Sequence, residues 1–127
     1  MKNDDDWRGL HANEASGSLP IDQVVTQLRD QLGIRLVAYI GRVSTTATAT
    51  AWATGRDVPD VENATRLRTA FRALGILLQL WDPVTIQSWF KGMNPLLNDV
   101  SPARFIRESA PDAASVVVDA ARSEMIN

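Results

Sequence analysis

Apolar residues recur at intervals of three and four along most of this chain, the spacing that places them on one face of an α-helix. Five of them lie between a proline and a glycine, Pro20 and Gly33: Ile21, Val24, Val25, Leu28 and Leu32. A longer stripe continues over several turns: Ala64, Leu67, Phe71, Leu74, Leu78 and Trp81. Pro59-Asp60 and Asp82-Pro83 bound this stripe, so the pattern predicts one helix between them. Such a stripe is typical of intrachain core and of self-association alike, and the sequence leaves both open.

Two shorter helices are predicted between these runs. The first ends at Gly41, and the second is capped by Ser44 or Thr45 and ends at Gly55. Inside the second, threonine and alanine alternate with period two, and threonine is β-branched, so a strand is the local alternative. The bounding glycines and the helical neighbours favour a helix.

The C-terminal third contains several residue pairs that signal the start of a helix. Three pairs combine a capping residue with proline: Asp82-Pro83, Ser101-Pro102 and Pro111-Asp112. Each is expected to begin a helix, and the first of these ends at Trp89-Phe90. Because every predicted element is helical, the sequence predicts an all-α protein.

The chain divides into three predicted parts. Residues 1–19 are polar and acidic, and we expect them to form a mobile tail. Residues 20–81 hold the first four helices. Residues 82–127 form a smaller helical unit.

Composition narrows the classes of function. Hydrophobic residues make up 45% of the 127 residues, which is enough for a core. Cysteine is absent, so disulfides, thiol catalysis and thiolate metal sites are excluded. No apolar run is long enough to cross a membrane and no secretion signal is seen, so we expect a cytoplasmic protein.

Charge is distributed unevenly along the chain. The net charge is −2, which argues against a protein that coats nucleic acid without sequence preference. Residues 20–92 carry eight basic and six acidic side chains, whereas the segments before and after them are net acidic. Any contact with nucleic acid is therefore expected in the middle segment.

Groups able to do catalysis are scarce. His11 is the only histidine, and it lies in the predicted tail with no orienting partner in view. No nucleophile elbow, phosphate-binding glycine loop or His/Asp/Glu cluster with ligand spacing occurs. The sequence predicts no enzyme, no cofactor and no metal site.

The segment from about Arg35 to Gly55 fits a helix-turn-helix, in which two short helices are joined by a tight turn. Trp52 is expected to anchor the second helix to the core. The candidate DNA contacts are hydroxyls on that helix and cations that flank it: Arg42, Thr46, Thr48, Thr50 and Arg56. The helix holds no Arg, Lys, Asn or Gln, which excludes bidentate reading of bases. A helical hairpin that only packs is the alternative.

Two sets of short motifs carry a family likeness. The N-terminal set comprises Leu-Gly-Ile-Arg-Leu-Val-Ala-Tyr-Ile-Gly (32–41), Ala51-Trp52-Ala53-Thr54-Gly55 with Pro59, and Arg66-Leu67-Arg68. The C-terminal set comprises Trp89-Phe90, Gly92-Met93-Asn94-Pro95-Leu96-Leu97, Ser101-Pro102 and Ala120-Ala121-Arg122. Together they resemble the Xre/MbcA/ParS-like antitoxins, the neutralising halves of Xre–RES toxin–antitoxin pairs, over about residues 24–125.

The resemblance implies an Xre-like helix-turn-helix bundle followed by a small toxin-binding domain. The partner would be a RES-domain toxin, a protein that resembles ADP-ribosyltransferases and depletes NAD. The C-terminal domain would cover the toxin's active-site entrance, and the N-terminal domain would bind promoter DNA as an autorepressor. A homodimer or a hetero-oligomer with the toxin is expected, as helix-turn-helix proteins usually pair to reach two half-sites.

Specific residues follow from this hypothesis. Arginine is favoured at such interfaces because its fork reaches carboxylates and phosphates bidentately. The expected toxin contacts are three arginines and one aromatic residue: Arg104, Phe105, Arg107 and Arg122. A second set is expected to hold the shape of the fold: Trp52, Trp89, Asn94, Pro95, Leu97 and Pro102.

Two departures from the family pattern affect these expectations. The predicted recognition helix has Thr/Ala where members of the family commonly have an arginine or a similar residue that contacts bases. Whether this chain binds its own promoter therefore stays open. Asn98-Asp99 stand where the family often has glycine, and both residue types tolerate a left-handed backbone. A DNA-binding regulator without a toxin is the alternative function, and a helical adaptor is a third.

Overall fold

The computed structural model describes residues 19–126, which form seven α-helices and two 3₁₀ turns. In chain order the elements are α1 (Ile21–Leu32), α2 (Ile34–Ile40), α3 (Thr46–Ala53), α4 (Val61–Leu77), α5 (Pro83–Lys91), a 3₁₀ turn (Pro95–Leu97), α6 (Pro102–Glu108), a 3₁₀ turn (Ala113–Ser115) and α7 (Val116–Ser123). The only extended pairing in this range is an isolated bridge between Asn94 and Val100. The predicted all-α class is confirmed.

Side-chain caps explain where four of the helices begin. Thr45, Asp60, Asp82 and Ser101 each accept a hydrogen bond from the backbone N–H three residues later, at 2.8–3.4 Å. Such a bond satisfies a donor that the first turn leaves without a partner. The threonine-rich segment is therefore a helix, as its flanks predict.

Helix α4 is shorter than the apolar stripe predicts. It ends at Leu77, and the backbone N–H groups of Gln79 and Leu80 donate to carbonyls three residues back. Bonds of this kind tighten a helix end into a 3₁₀-like turn. The three- and four-residue spacing of apolar residues continues to Trp81, but the α-helix ends before it.

The last helix begins later than Pro111-Asp112 predicts. The Asp112 carboxylate accepts from the N–H of Ala113 at 3.1 Å, and this starts a 3₁₀ turn. Helix α7 follows from Val116.

Helix α4 occupies the centre of the fold. Leu67, Phe71 and Leu74, three members of its stripe, are all buried. The stripe therefore fills the chain's own core, and these side chains present no surface to a second copy. Self-association through the helix of residues 60–81 stays a prediction.

The two predicted units share one hydrophobic cluster. Helix α1 packs against α5, α2 against α6, and α4 against α7. Across the predicted boundary at residues 81 and 82, Gln87 Nε2 donates to the carbonyl of Gln31 at 2.9 Å. The C-terminal elements are thus held in a defined position on the N-terminal helices.

The predicted tail lies outside the described residues except for Leu19. The carbonyl of Leu19 accepts a hydrogen bond from Arg68 Nη1 at 2.9 Å. Within residues 19–126, none of the helices has the length and hydropathy needed to cross a membrane.

Candidate partner-binding groove

The turn after α5 is organised around Asn94. The Asn94 side chain is buried and accepts from the N–H of Leu96 at 3.0 Å. Its backbone carbonyl accepts from the N–H groups of Leu97 and Asp99, both at 2.9 Å. Pro95 occupies the first position of the 3₁₀ turn, where its missing N–H costs nothing. The side chain and the backbone carbonyl of one buried residue, Asn94, thus fix the path of the segment.

The side chains of two neighbouring leucines in this turn face opposite ways. Leu97 is 1% exposed and joins the core, whereas Leu96 is 60% exposed. Asn98 and Asp99 follow in the left-handed region, with φ of 57° and 63°. Both residues therefore adopt the left-handed conformation that the sequence predicts they tolerate.

Trp89 links the end of α5 to the end of α7. Its indole N–H donates to the Glu124 carboxylate at 3.0 Å. Its ring meets Phe90 edge to face, with centroids 5.1 Å apart. Because Phe90 is fully buried, this contact ties Trp89 to the core.

A groove of about 520 Å³ lies between α5, the Asn94 turn and the end of α7. Its walls combine apolar side chains with a few polar groups: Ser88, Trp89, Gly92, Met93, Asn94, Pro95, Leu96, Ser123, Glu124 and Ile126. Met93 is 81% exposed and Ile126 is 85% exposed. Contiguous exposed apolar surface of this kind marks an interaction site more often than single exposed side chains do.

The groove has little means to do chemistry. Its polar groups are hydroxyls, one amide and the Glu124 carboxylate, which already accepts from Trp89. Within the described part of the chain, no group of three or more potential metal ligands comes together. The arrangement is suited to holding an apolar segment of another molecule.

The four expected toxin contacts lie outside the groove. Arg104 pairs with Glu108 at 3.1 Å and Arg122 with Asp119 at 3.3 Å, both at exposed positions on their helices.

Phe105 packs partly buried against the core. Arg107 donates to the carbonyl of Tyr39 at 2.7 Å and lies over the Tyr39 ring, with 4.7 Å to its centroid. Arg107 therefore joins α6 to α2.

Three exposed apolar residues of the groove were missed as contacts by sequence reasoning: Met93, Leu96 and Ile126. For Met93 and Leu96 the signal was present in the sequence: the segment from Trp89 to Leu97 is more apolar than one short turn can bury. Which of its side chains point outward depends on the Asn94 hydrogen bonds, and spacing alone does not reveal it.

Of the six residues expected to hold the shape of the fold, four are buried, whereas Trp89 is partly buried and Pro95 is exposed. Trp52 is buried and its ring packs on Gly41. Pro102 is buried at the first position of α6, directly after its Ser101 cap.

The expected DNA contacts occur around α3. Arg42, Thr46 and Arg56 are exposed, and Thr48 and Thr50 are partly buried.

Two of these side chains already have local partners. The Thr48 hydroxyl lies 3.2 Å from that of Thr45, and Arg56 Nε donates to Thr54 Oγ1 at 3.2 Å. Arg42 has a left-handed backbone, with φ of 64°, at the connection between α2 and α3.

A buried arginine connects the centre of the fold to α6. Arg66 is 3% exposed, and it donates to the carbonyls of Ile106 at 3.2 Å and Ser109 at 2.9 Å. These acceptors lie at the C-terminal end of α6, where a positive charge is favoured.

The surroundings of Arg66 shift its pKa in both directions. Burial lowers the pKa of the Arg66 guanidinium from its ordinary value, and the nearby Arg42 lowers it further. The carboxylates of Glu62 and Asp60 oppose both effects.

Compared with protein-family models, curated proteins and solved structures, the chain matches none.

Proposed function

We propose that this protein is an antitoxin that binds a RES-domain toxin through the groove and blocks it sterically. The groove supports this proposal, because Trp89 and residues 92–96, which belong to the C-terminal set of motifs that carries the family likeness, line it. Trp89, Asn94 and Pro95 set its walls, and Met93 and Leu96 lie exposed within it.

The energetics favour a protein partner with an apolar segment. Burying Met93, Leu96 and Ile126 contributes roughly 1.5–3 kcal/mol for each side chain. Association must first offset the loss of rigid-body freedom, so these three side chains supply part of the affinity. Ordered walls reduce the further cost, since little of the groove has to be arranged during binding.

Charged residues near the C-terminal helices can orient the partner. Arg104 and Arg122 lie in exposed ion pairs, which contribute little to stability. An incoming carboxylate or phosphate can therefore replace Glu108 or Asp119 at small cost. Inhibition of this kind needs no reactive side chain on the antitoxin.

Co-expression with the product of the neighbouring gene tests this function. We expect the wild-type chain to relieve growth arrest and to co-purify with that product. Leu96→Arg is expected to lose both properties, because it places a charge in the groove. Val58→Arg is the matched control, since Val58 is 67% exposed and lies outside the groove.

Two results would overturn the proposal. One is growth arrest that the wild-type chain does not relieve. The other is full protection by Leu96→Arg, which would show that the groove is not the docking surface.

DNA binding is the second candidate, with or without a toxin partner. It is favoured by the pairing of the two short helices α2 and α3, which Trp52 holds together by packing on Gly41. Arg42, Thr46 and Arg56 are exposed there. A gel shift with the protein's own upstream DNA at low salt tests it, and absence of retention would exclude it.

A further inference from the structure

A second cleft, of about 350 Å³, lies between α2, the start of α3 and α6. Two arginines and three hydroxyl-bearing residues line most of it: Arg35, Arg107, Tyr39, Ser44 and Thr46. The remaining lining residues, Ala38 and Val43, are apolar. No carboxylate of residues 19–126 lines this cleft, so none of these residues neutralises either guanidinium within it.

Arg107 is held in place by its own contacts. One nitrogen, Nη1, donates to the Tyr39 carbonyl at 2.7 Å, and the guanidinium lies over the Tyr39 ring. No other hydrogen bond of this guanidinium occurs among residues 19–126. The remaining donors are thus positioned without being used, which lowers the entropic cost of binding a ligand.

Arg35 supplies the second cation from the first turn of α2. Its side chain is exposed, and no ion pair or hydrogen bond holds it in the described part of the chain. Two unneutralised guanidinium groups that share one cleft repel each other, and an anion between them removes that cost. Guanidinium forks and hydroxyl donors together match the oxygens of a phosphate group.

We propose that this cleft binds one backbone phosphate of a DNA duplex, with Arg35 and Arg107 as its two cationic contacts. The inference rests on the DNA-binding candidate and deepens it. It assigns the C-terminal segment a part in DNA binding, because Arg107 belongs to α6. The DNA backbone then runs along the α2–α3 pair and reaches α6.

Salt-dependent binding of a 20-base-pair duplex, followed by fluorescence anisotropy, tests the assignment. Arg35→Gln and Arg107→Gln are each expected to weaken binding about tenfold at low salt. Each is expected to reduce the slope of log K against log salt by about 1, as loss of one phosphate contact requires. Arg29→Gln is the charge-matched control, since Arg29 lies on α1 and pairs with Asp30 instead of lining the cleft.

The outcomes separate the two proposals. If the wild-type chain binds the duplex and the Arg35 and Arg107 variants behave like Arg29→Gln, the cleft assignment is wrong and the DNA-binding candidate survives. If the wild-type chain does not bind the duplex at low salt, both are wrong. Thermal unfolding of each variant checks the fold, and Arg35→Gln alone decides the outcome if Arg107→Gln unfolds.

Discussion

The ring of Trp52 packs directly on Gly41, so that a Cβ atom on Gly41 would lie 2.6 Å from Trp52 Cζ3. Gly41 has an ordinary φ of −80°, so glycine is required here for space and not for backbone freedom. The contact closes α3 onto the end of α2. It places a buried tryptophan directly beneath the surface proposed to meet DNA.

Gly41→Ala is therefore expected to lower the free energy of unfolding by about 1–3 kcal/mol, because the added methyl group overpacks the contact. Urea denaturation measures this change. Gly92→Ala is the control, because the nearest atom to its Cβ is the Ser88 carbonyl oxygen at 3.2 Å and a smaller loss is expected. Equal losses in the two variants would contradict the proposed role of the Trp52 contact.

Arg66 gives rise to a second prediction about stability. Arg66→Met keeps much of the apolar stem but leaves the carbonyls of Ile106 and Ser109 without their donor. We expect the free energy of unfolding to fall by about 2–4 kcal/mol, since bonds to a charged donor are strong and buried acceptors are costly to leave unpaired. Calorimetry or urea denaturation measures the loss.

The exposed Arg56→Met provides the comparison for Arg66. Within residues 19–126 the Arg56 guanidinium bonds only to Thr54, at the surface, so a change within about 0.5 kcal/mol is expected. A similar effect of the two substitutions would mean that the bonds of Arg66 to Ile106 and Ser109 contribute little to holding α6 in place.

Local signals predicted most of the helices, because helix starts depend on nearby residues. Asp60, Asp82 and Ser101 each cap the helix that follows within three residues, and this information lies in the sequence itself. The early end of α4 was missed, since the apolar spacing continues to Trp81 although the N–H groups of Gln79 and Leu80 bond to carbonyls three residues back.

The two proposed binding surfaces depend on contacts between distant segments, and sequence spacing does not predict them. Arg107 meets Tyr39, which lies 68 residues earlier, and Trp89 meets Glu124, which lies 35 residues later. The motif around Asn94 indicated an interaction surface. Only its hydrogen bonds show that Leu96 faces outward.

Acid should weaken the start of α5 through Asp82. The backbone N–H of Thr85, and then its hydroxyl, hydrogen-bond to the carboxylate and lower the pKa of Asp82 below its ordinary 3.8. Because the folded chain has the lower pKa, the unfolded chain takes up the proton first as the pH falls. The stability that this carboxylate contributes is complete above the unfolded pKa and is lost as the pH falls through the folded pKa.

Asp82→Asn tests this dependence, because asparagine caps about as well but does not titrate. We expect its urea midpoint to match the wild type near neutral pH and to fall less steeply below about pH 4. Asp82→Ala, which lacks the cap at every pH, is expected to have a lower midpoint throughout. Parallel pH curves for the wild type and Asp82→Asn would show that Asp82 titrates alike in the folded and unfolded chains.

The left-handed backbone at Asp99 controls how the groove presents Leu96. The N–H of Asp99 donates to the Asn94 carbonyl only because two successive residues take positive φ. A β-branched residue is strongly disfavoured there, so Asp99→Val is expected to lower the free energy of unfolding by about 1–2 kcal/mol. Asp99→Gly is expected to change it by less than about 1 kcal/mol, since relief of strain offsets the greater entropy of the unfolded chain.

Hydrogen exchange locates this effect. In Asp99→Val the amides of residues 96, 97 and 99 should exchange faster, because all three donate to Asn94. In Asp99→Gly they should keep their protection. Because Leu96 belongs to the same turn, Asp99→Val is further expected to weaken binding of the proposed toxin, whereas Asp99→Gly is expected to retain it. Tight toxin binding by a valine variant whose turn exchanges freely would show that the partner does not require the ordered groove.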